Sequence, residues 1–296
     1  MKKNKNNKLA FSLIELSVVI LIIGILIIGV SKGSQLLNKS KIKSAQSLTI
    51  NSPVSSIKGL SVWLETTSDA SFPEGDNIDT ALGAIGTIDT WNDINPRTSS
   101  TKNATQGTAA NNPRYIENGI NGLPALNFDG AASPNNDNME LSTSEALGIA
   151  NSDYEMFVVF QSKAIDGAQA LISSATTAHY ELRFNSTSDI IIFDVDGVSN
   201  PAIDSNNSEL SPTIVSGRLM SNGDVFVRMN GVDDVEAVDG ASVNSNILDM
   251  IIGSRSDDSL AFSGHIGEII IFNRALTTSE RTSVEEYLSS KWGIEI

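Results

Sequence analysis

One long apolar run, Phe11 to Val30 (FSLIELSVVILIIGILIIGV), stands out from an otherwise polar chain and carries a single charge, Glu15. Its 20 residues would span roughly 30 Å as a helix, the hydrocarbon thickness of a bilayer. Ile and Val dominate the run, a poor choice for a soluble helix. In lipid no other backbone pairing is available, so the pattern predicts a membrane helix. Past Val30 the residues turn polar but stay helix-compatible, with Leu37, Lys41, Ala45 and Leu48 at i, i+4, i+8 and i+11 as a weak stripe. Asn51-Ser52-Pro53 then stops the helix, which predicts one rod of about 60 Å from Phe11 to about Ile50.

From Leu60 onward the period changes. Turn pairs such as Asn118-Gly119, Asn121-Gly122, Asp129-Gly130, Asp166-Gly167, Asp196-Gly197, Asn222-Gly223, Asn230-Gly231 and Asp239-Gly240 punctuate short runs of strand character. The clearest runs are Tyr154–Gln161, His179–Phe184, Asp189–Asp194, Asp224–Met229, Ile247–Ile252 and His265–Phe272. Short strands at this spacing predict an antiparallel sandwich, with Phe157, Val159, Leu182, Phe184, Val225, Val227 and Ile269 in its core. The chain closes differently. Thr277 and Glu280 have capping-box spacing, Val284, Tyr287, Leu288 and Trp292 follow at helical intervals, and Gly293 ends a short C-terminal helix.

Charge divides the chain in nearly the same place. Residues 1–60 hold nine Lys and one Glu, whereas residues 61–296 sum to −23. A total of −15 argues against nucleic acid as a partner. The absence of Cys rules out disulfides, thiol catalysis and Cys-ligated metals, and two histidines, His179 and His265, are too few for a His-rich centre. The apolar run is not followed by an A-x-A cleavage site, which argues against a secretory signal peptide. Lysines flank the run on both sides (Lys2, Lys3, Lys5 and Lys8; Lys32, Lys39, Lys41 and Lys43), so charge alone leaves its orientation open.

A carboxylate inside an apolar span costs on the order of 2.5–3.5 kcal/mol, so Glu15 either reaches the interface or has a partner. Its neighbourhood, Ala10-Phe11-Ser12-Leu13-Ile14-Glu15-Leu16, resembles the processing site of type IV prepilins. There a short basic leader precedes a small residue, a cleaved bond, Phe, and a Glu five residues into the mature chain. The resemblance covers roughly residues 1–50; the family prefers Gly where this chain has Ala10. It implies cleavage between Ala10 and Phe11 by a prepilin peptidase, methylation of the new Phe11 amine, and pairing of Glu15 with the amine of a neighbouring subunit during filament assembly. Gly24 and Gly29 are read as ordinary membrane-helix glycines.

Stretches of the body, including Gly59–Leu64, Trp91-Asn92-Asp93, Asn118–Gly130 and Gly264–Leu276, resemble the concanavalin A-like, laminin-G-type jelly roll. Such domains bind glycans, proteins or calcium, or only build structure. Relatives of this fold that cleave glycans carry Glu-x-Asp-x-Glu on one strand; Val232-Asp233-Asp234-Val235-Glu236 is the nearest approach here, with Val232 where the first acid belongs. Asp194-Val195-Asp196-Gly197 and Asp257-Asp258 are calcium candidates without a complete loop. Trp63, Trp91 and Trp292 fit the framework better than a sugar platform.

Together these features predict a leader at 1–10, a transmembrane and filament-core helix at 11–52, and an all-β antiparallel jelly-roll sandwich with a short C-terminal helix at 58–296. The expected protein is a type IV pilin-like structural subunit, minor or at the tip, displaying a lectin-like domain for adhesion. No cofactor is expected, with calcium left open. Its expected partners are other pilin subunits, the peptidase and methyltransferase, the inner membrane before assembly, and a glycan or surface protein. It would start in the bacterial inner membrane and end in an extracellular pilus or periplasmic pseudopilus. A type II secretion pseudopilin and a polysaccharide-active enzyme are the alternatives.

Overall fold

The computed structural model describes residues 13–73, 86–98, 100–131, 134–163, 167–174, 180–185, 190–195, 202–204, 210–237 and 247–296. The chain divides into two units, Met1–Lys43 and Ser44–Ile296. The first is a stretch of helix α1 (Leu13–Ile50). Its apolar side chains, from Leu13 at 84% exposure through Ile27 at 61%, lie open. Among the described residues this is the one helix long and apolar enough to cross a membrane. So large an uncovered apolar surface requires lipid or other chains around it.

The second unit begins with the last turns of α1 and then becomes β. Its first strands are β1 (Leu60–Glu65), β2 (Thr90–Trp91), β3 (Ala104–Thr105), β4 (Arg114–Ile120), β5 (Leu123–Asp129) and β6 (Met139–Thr143), followed by a helical turn, α2 (Ser144–Leu147). Next come β7 (Tyr154–Ser162), β8 (Ala168–Ser173), β9 (Glu181–Asn185), β10 (Ile190–Asp194) and β11 (Ala202–Asp204). The remainder is β12 (Thr213–Leu219), β13 (Val225–Met229), β14 (Val232–Ala237), β15 (Asp249–Ile252), β16 (Ser263–Phe272) and helix α3 (Thr278–Trp292). One sheet runs β14-β13-β12-β7-β16-β5-β4 with β1 also on β16; the other runs β11-β10-β9-β8-β15-β6-β3-β2. Their inner faces enclose a core that includes Val62, Leu64, Leu126, Phe128, Met156, Val158, Phe160, Leu182, Val225, Val227, Ile269 and Ile271.

The first sheet is apolar on its outer face as well. Leu60, Trp63, Phe157, Val159, Ile270 and Phe272 pack there against Ala45, Val54 and Ile57 and against Val284, Tyr287, Leu288 and Trp292 of α3. Phe157 and Val159 are therefore buried as expected, but under a helix rather than between sheets. Phe184's side chain lies outside the described set. The stripe expected along α1 holds only at its lower end: Ala45 is buried and Leu48 half-buried, while Leu37 and Lys41 are exposed. Helix α3 starts with a full capping box, Thr277 with Glu280, and ends on Gly293 at φ +64°.

Candidate assembly and binding sites

Glu15 sits in the first turn of α1, exposed, within the apolar stretch. Ala10 and Phe11 lie outside the described residues, as do the leader, His179, Asp196-Gly197, Asp166 and Asp239-Gly240.

In the head the structure assembles a polar centre that the sequence had not singled out. Strands β7 and β16 lose register between Ile266 and Glu268, which makes Gly267 the extra residue of a bulge. The bulge moves Glu268 to the outer face while returning Ile269 to the core. A Cβ at Gly267 would strike the Trp292 ring, so only glycine lets that indole settle over the strand. Glu268 then accepts hydrogen bonds from Trp63 Nε1 (2.7 Å), Tyr287 Oη (2.8 Å) and Trp292 Nε1 (2.8 Å). Lys291 Nζ, wholly enclosed, lies 2.9 Å from Glu268 and 2.8 Å from Glu65.

Glu65 also accepts from Thr67 N and Oγ1, Ser68 N and Ser71 Oγ. Burial works to raise the Glu65 carboxyl, but Lys291 and the Thr67 donors hold it below its usual range. The two carboxylates in turn outweigh burial and hold the Lys291 ammonium above its own. Thr49 of α1 meets Tyr287 at 3.3 Å, and Gln46 donates to the Thr67 carbonyl at 2.8 Å. The centre thus fastens the end of α1, the first strand, the last strand and the last helix at one point. A second buried pair, Arg281–Glu155 at 2.6 Å, and Arg228–Glu285 at 2.8 Å hold the rest of α3.

All three tryptophans are buried, with Trp91 Nε1 donating to the Glu65 carbonyl at 2.8 Å. They are framework, and none offers a face to a sugar. His265 is a buried strand residue of β16, kept neutral at pH 7 because burial, with Lys163 nearby, lowers it to about 4. On β14 the backbone register shifts, Glu236 pairing with Phe226 and Asp234 with Val227. Val232 is 60% exposed. Asp257 is tied to Ser259 N and Oγ as a turn residue, Asp258 lies 3.4 Å from Asn138 Nδ2, and Asp194 ends β10, buried. Among the described residues no group of three or more His, Asp or Glu gathers as a metal site.

One corner of the head works against stability. Asp129 and Asp137 face each other across the β5–β6 turn, Asp137 N donating to Asp129 and Asp129 N to Asp137. Burial and the Asp129 charge raise Asp137 to about 7. Neighbouring Asn136 is fully enclosed, with neither amide atom paired. Because the folded state holds the Asp137 proton more tightly than the unfolded chain, this group costs stability increasingly as pH rises from about 4 to 7. Asp137→Asn keeps the acceptor and removes the charge. It should raise the melting temperature at pH 8 by roughly 2–4 °C and change little at pH 4, as calorimetry would show.

Residues 5–31 match the family model described as the prokaryotic N-terminal methylation motif. The chain therefore carries a prepilin-type N-terminus joined to an antiparallel β-sandwich. No curated protein matches its sequence. Among solved structures, Trypanosoma rangeli sialidase with 2,3-difluorosialic acid as covalent intermediate superposes with TM-score 0.53 at 14% identity, over 87% of this chain and 39% of that one. The same sialidase with sialic acid gives 0.51 at 15% identity, over 79% and 33%. Domain 4 of AbnA, an arabinanase from Geobacillus stearothermophilus, in complex with arabinotriose, gives 0.43 at 18%, over 61% and 82%. This chain spans well under half the length of the sialidase, and at such identities the likeness is one of fold.

Proposed function

We propose that the chain is a type IV pilin-like structural subunit, cut between Ala10 and Phe11, methylated on Phe11, and held in the bacterial inner membrane by α1 until it joins a filament. The methylation motif running directly into an uncovered apolar helix carries this reading. In the filament Glu15 neutralises the Phe11 amine of an adjacent copy, since a charge left unpaired among apolar helices is heavily penalised. The large sandwich is bulky for a subunit repeated along a whole filament, which favours a minor or tip position. Its role there is lectin-like, of concanavalin A or laminin-G type, toward a glycan or surface protein.

Binding rather than catalysis fits the head. Its buried glutamates Glu65, Glu155, Glu181, Glu268 and Glu285 are each committed to an ion pair, while the buried Asp93 and Asp137 accept backbone N–H groups. Intact-mass measurement of the protein from sheared filaments should give residues 11–296 with one added methyl. A chain beginning at Met1 within filaments would overturn the processing proposed here. On a glycan array the head should bind without releasing product; hydrolysis would overturn the non-catalytic role.

A further inference from the structure

Between Glu15 and Glu65 the chain contains no acid but five lysines: Lys32, Lys39, Lys41, Lys43 and Lys58. Lys39 and Lys43 follow Lys32 by seven and eleven residues, which places all three within an arc of about 40° around the helix axis. All three are exposed. Lys32 Nζ contacts the neutral Gln35 at 3.4 Å, and no ion pair joins any of the three to an acid among the described residues. A positive stripe on the translocated side of a membrane helix opposes the bias that orients such helices, so it carries a topological cost. Residues 61–296 hold the opposite sign, −23, with exposed acids that include Asp69, Glu117, Glu140, Glu145 and Glu286. Two such heads brought side by side repel each other within a Debye length of about 8 Å at physiological salt.

We propose that Lys32, Lys39 and Lys43 form a docking face for the acidic head of a second copy of this chain, so that filament packing sets helix against head rather than head against head. This rests on the subunit role proposed above. Each copy brings one positive stripe and one negative body, so two copies that adjoin at a minor or tip position meet through this contact without a further partner. Exposed pairs are individually weak, and the effect comes from three in register.

The test uses filaments of the full chain assembled from a mixture of isotope-labelled and unlabelled copies, treated with a zero-length carbodiimide that joins amines to carboxylates. Mixed-isotope links from Lys32, Lys39 or Lys43 to acids beyond residue 60 are expected. The triple variant Lys32→Gln, Lys39→Gln, Lys43→Gln should assemble about tenfold less at 0.15 M salt. Wild type should show a similar loss at 1 M salt, where the variant changes no further. Tryptophan emission and membrane fractionation of the variant should match wild type, because the substitutions touch neither core nor span. Filaments in which these lysines stay unlinked and acetylate as readily as in the monomer would overturn the docking face alone. So would normal assembly of the variant, and if it also lost binding to phosphatidylglycerol vesicles the stripe would be assigned to lipid. Failure of wild type to enter filaments at all, alone or with other pilin subunits, would overturn the subunit role, and the docking face with it.

Discussion

Glu15→Val is expected to enter the membrane as well as wild type and to be undetectable in filaments. Insertion should not suffer, because the substitution removes a charge that costs on the order of 2.5–3.5 kcal/mol in an apolar span. Assembly should fail because the Phe11 amine of each adjacent copy then has no counter-charge among the helices. An uncompensated buried charge costs about 3–5 kcal/mol, and at about 1.4 kcal/mol per tenfold the loss is at least a hundredfold at each joint. Membrane fractionation and electron microscopy of sheared material separate the two steps. Incorporation of Glu15→Val into filaments at the wild-type level would refute the pairing.

Lys291→Met should destabilise the head by about 3–5 kcal/mol at pH 7, the usual result of removing one partner from a buried ion cluster. Glu65 and Glu268 would be left facing each other in an enclosed space, each still held by neutral donors. Lys291→Met combined with Glu65→Gln should recover part of the loss, since the residues share one network and their effects do not add. The sign of the pH dependence follows from the two shifts. Glu65 is held below its ordinary 4.5, so its contribution is complete above that pH and fades as pH drops through the folded value. Lys291 is held above its ordinary 10.5, so its contribution is complete below that pH and fades as pH climbs further. The wild-type centre therefore acts fully between about pH 4.5 and 10.5. All three tryptophans lie in the head, so urea titration of the full chain in detergent, followed by tryptophan emission, reads head stability without interference from the anchor. A loss below about 1 kcal/mol would show that the centre is structurally idle.

The elements with a strong local signal were legible before the structure. The apolar run, the Asn51-Ser52-Pro53 stop, the Thr277–Glu280 cap and the runs that became β7, β10, β13 and β16 depend on neighbours within a few residues. The Glu-x-Asp-x-Glu pattern is incomplete at Val232, and β14 carries a register shift opposite Phe226 and Val227. The polar centre was not legible, because its members come from positions 49, 65, 268, 287 and 291 and meet only through sheet pairing and one bulge. A faint signal did exist. Glu268 is an acid inside the apolar run GHIGEIIIF, and the preceding Gly267 marks a place where a neighbour comes close.

The point where Glu65, Glu268 and Lys291 meet has a mechanical meaning. In the filament role proposed above, tension would reach the head through the final turns of α1. The strand that follows, β1, lies along β16, and its last residue, Glu65, is clasped to the last helix by Lys291. Among the described residues β1 pairs with β16 alone, so peeling this edge strand away means parting the clasp as well. A chain without a single cysteine thereby gains a noncovalent lock against pulling at the place where other domains would need a covalent staple.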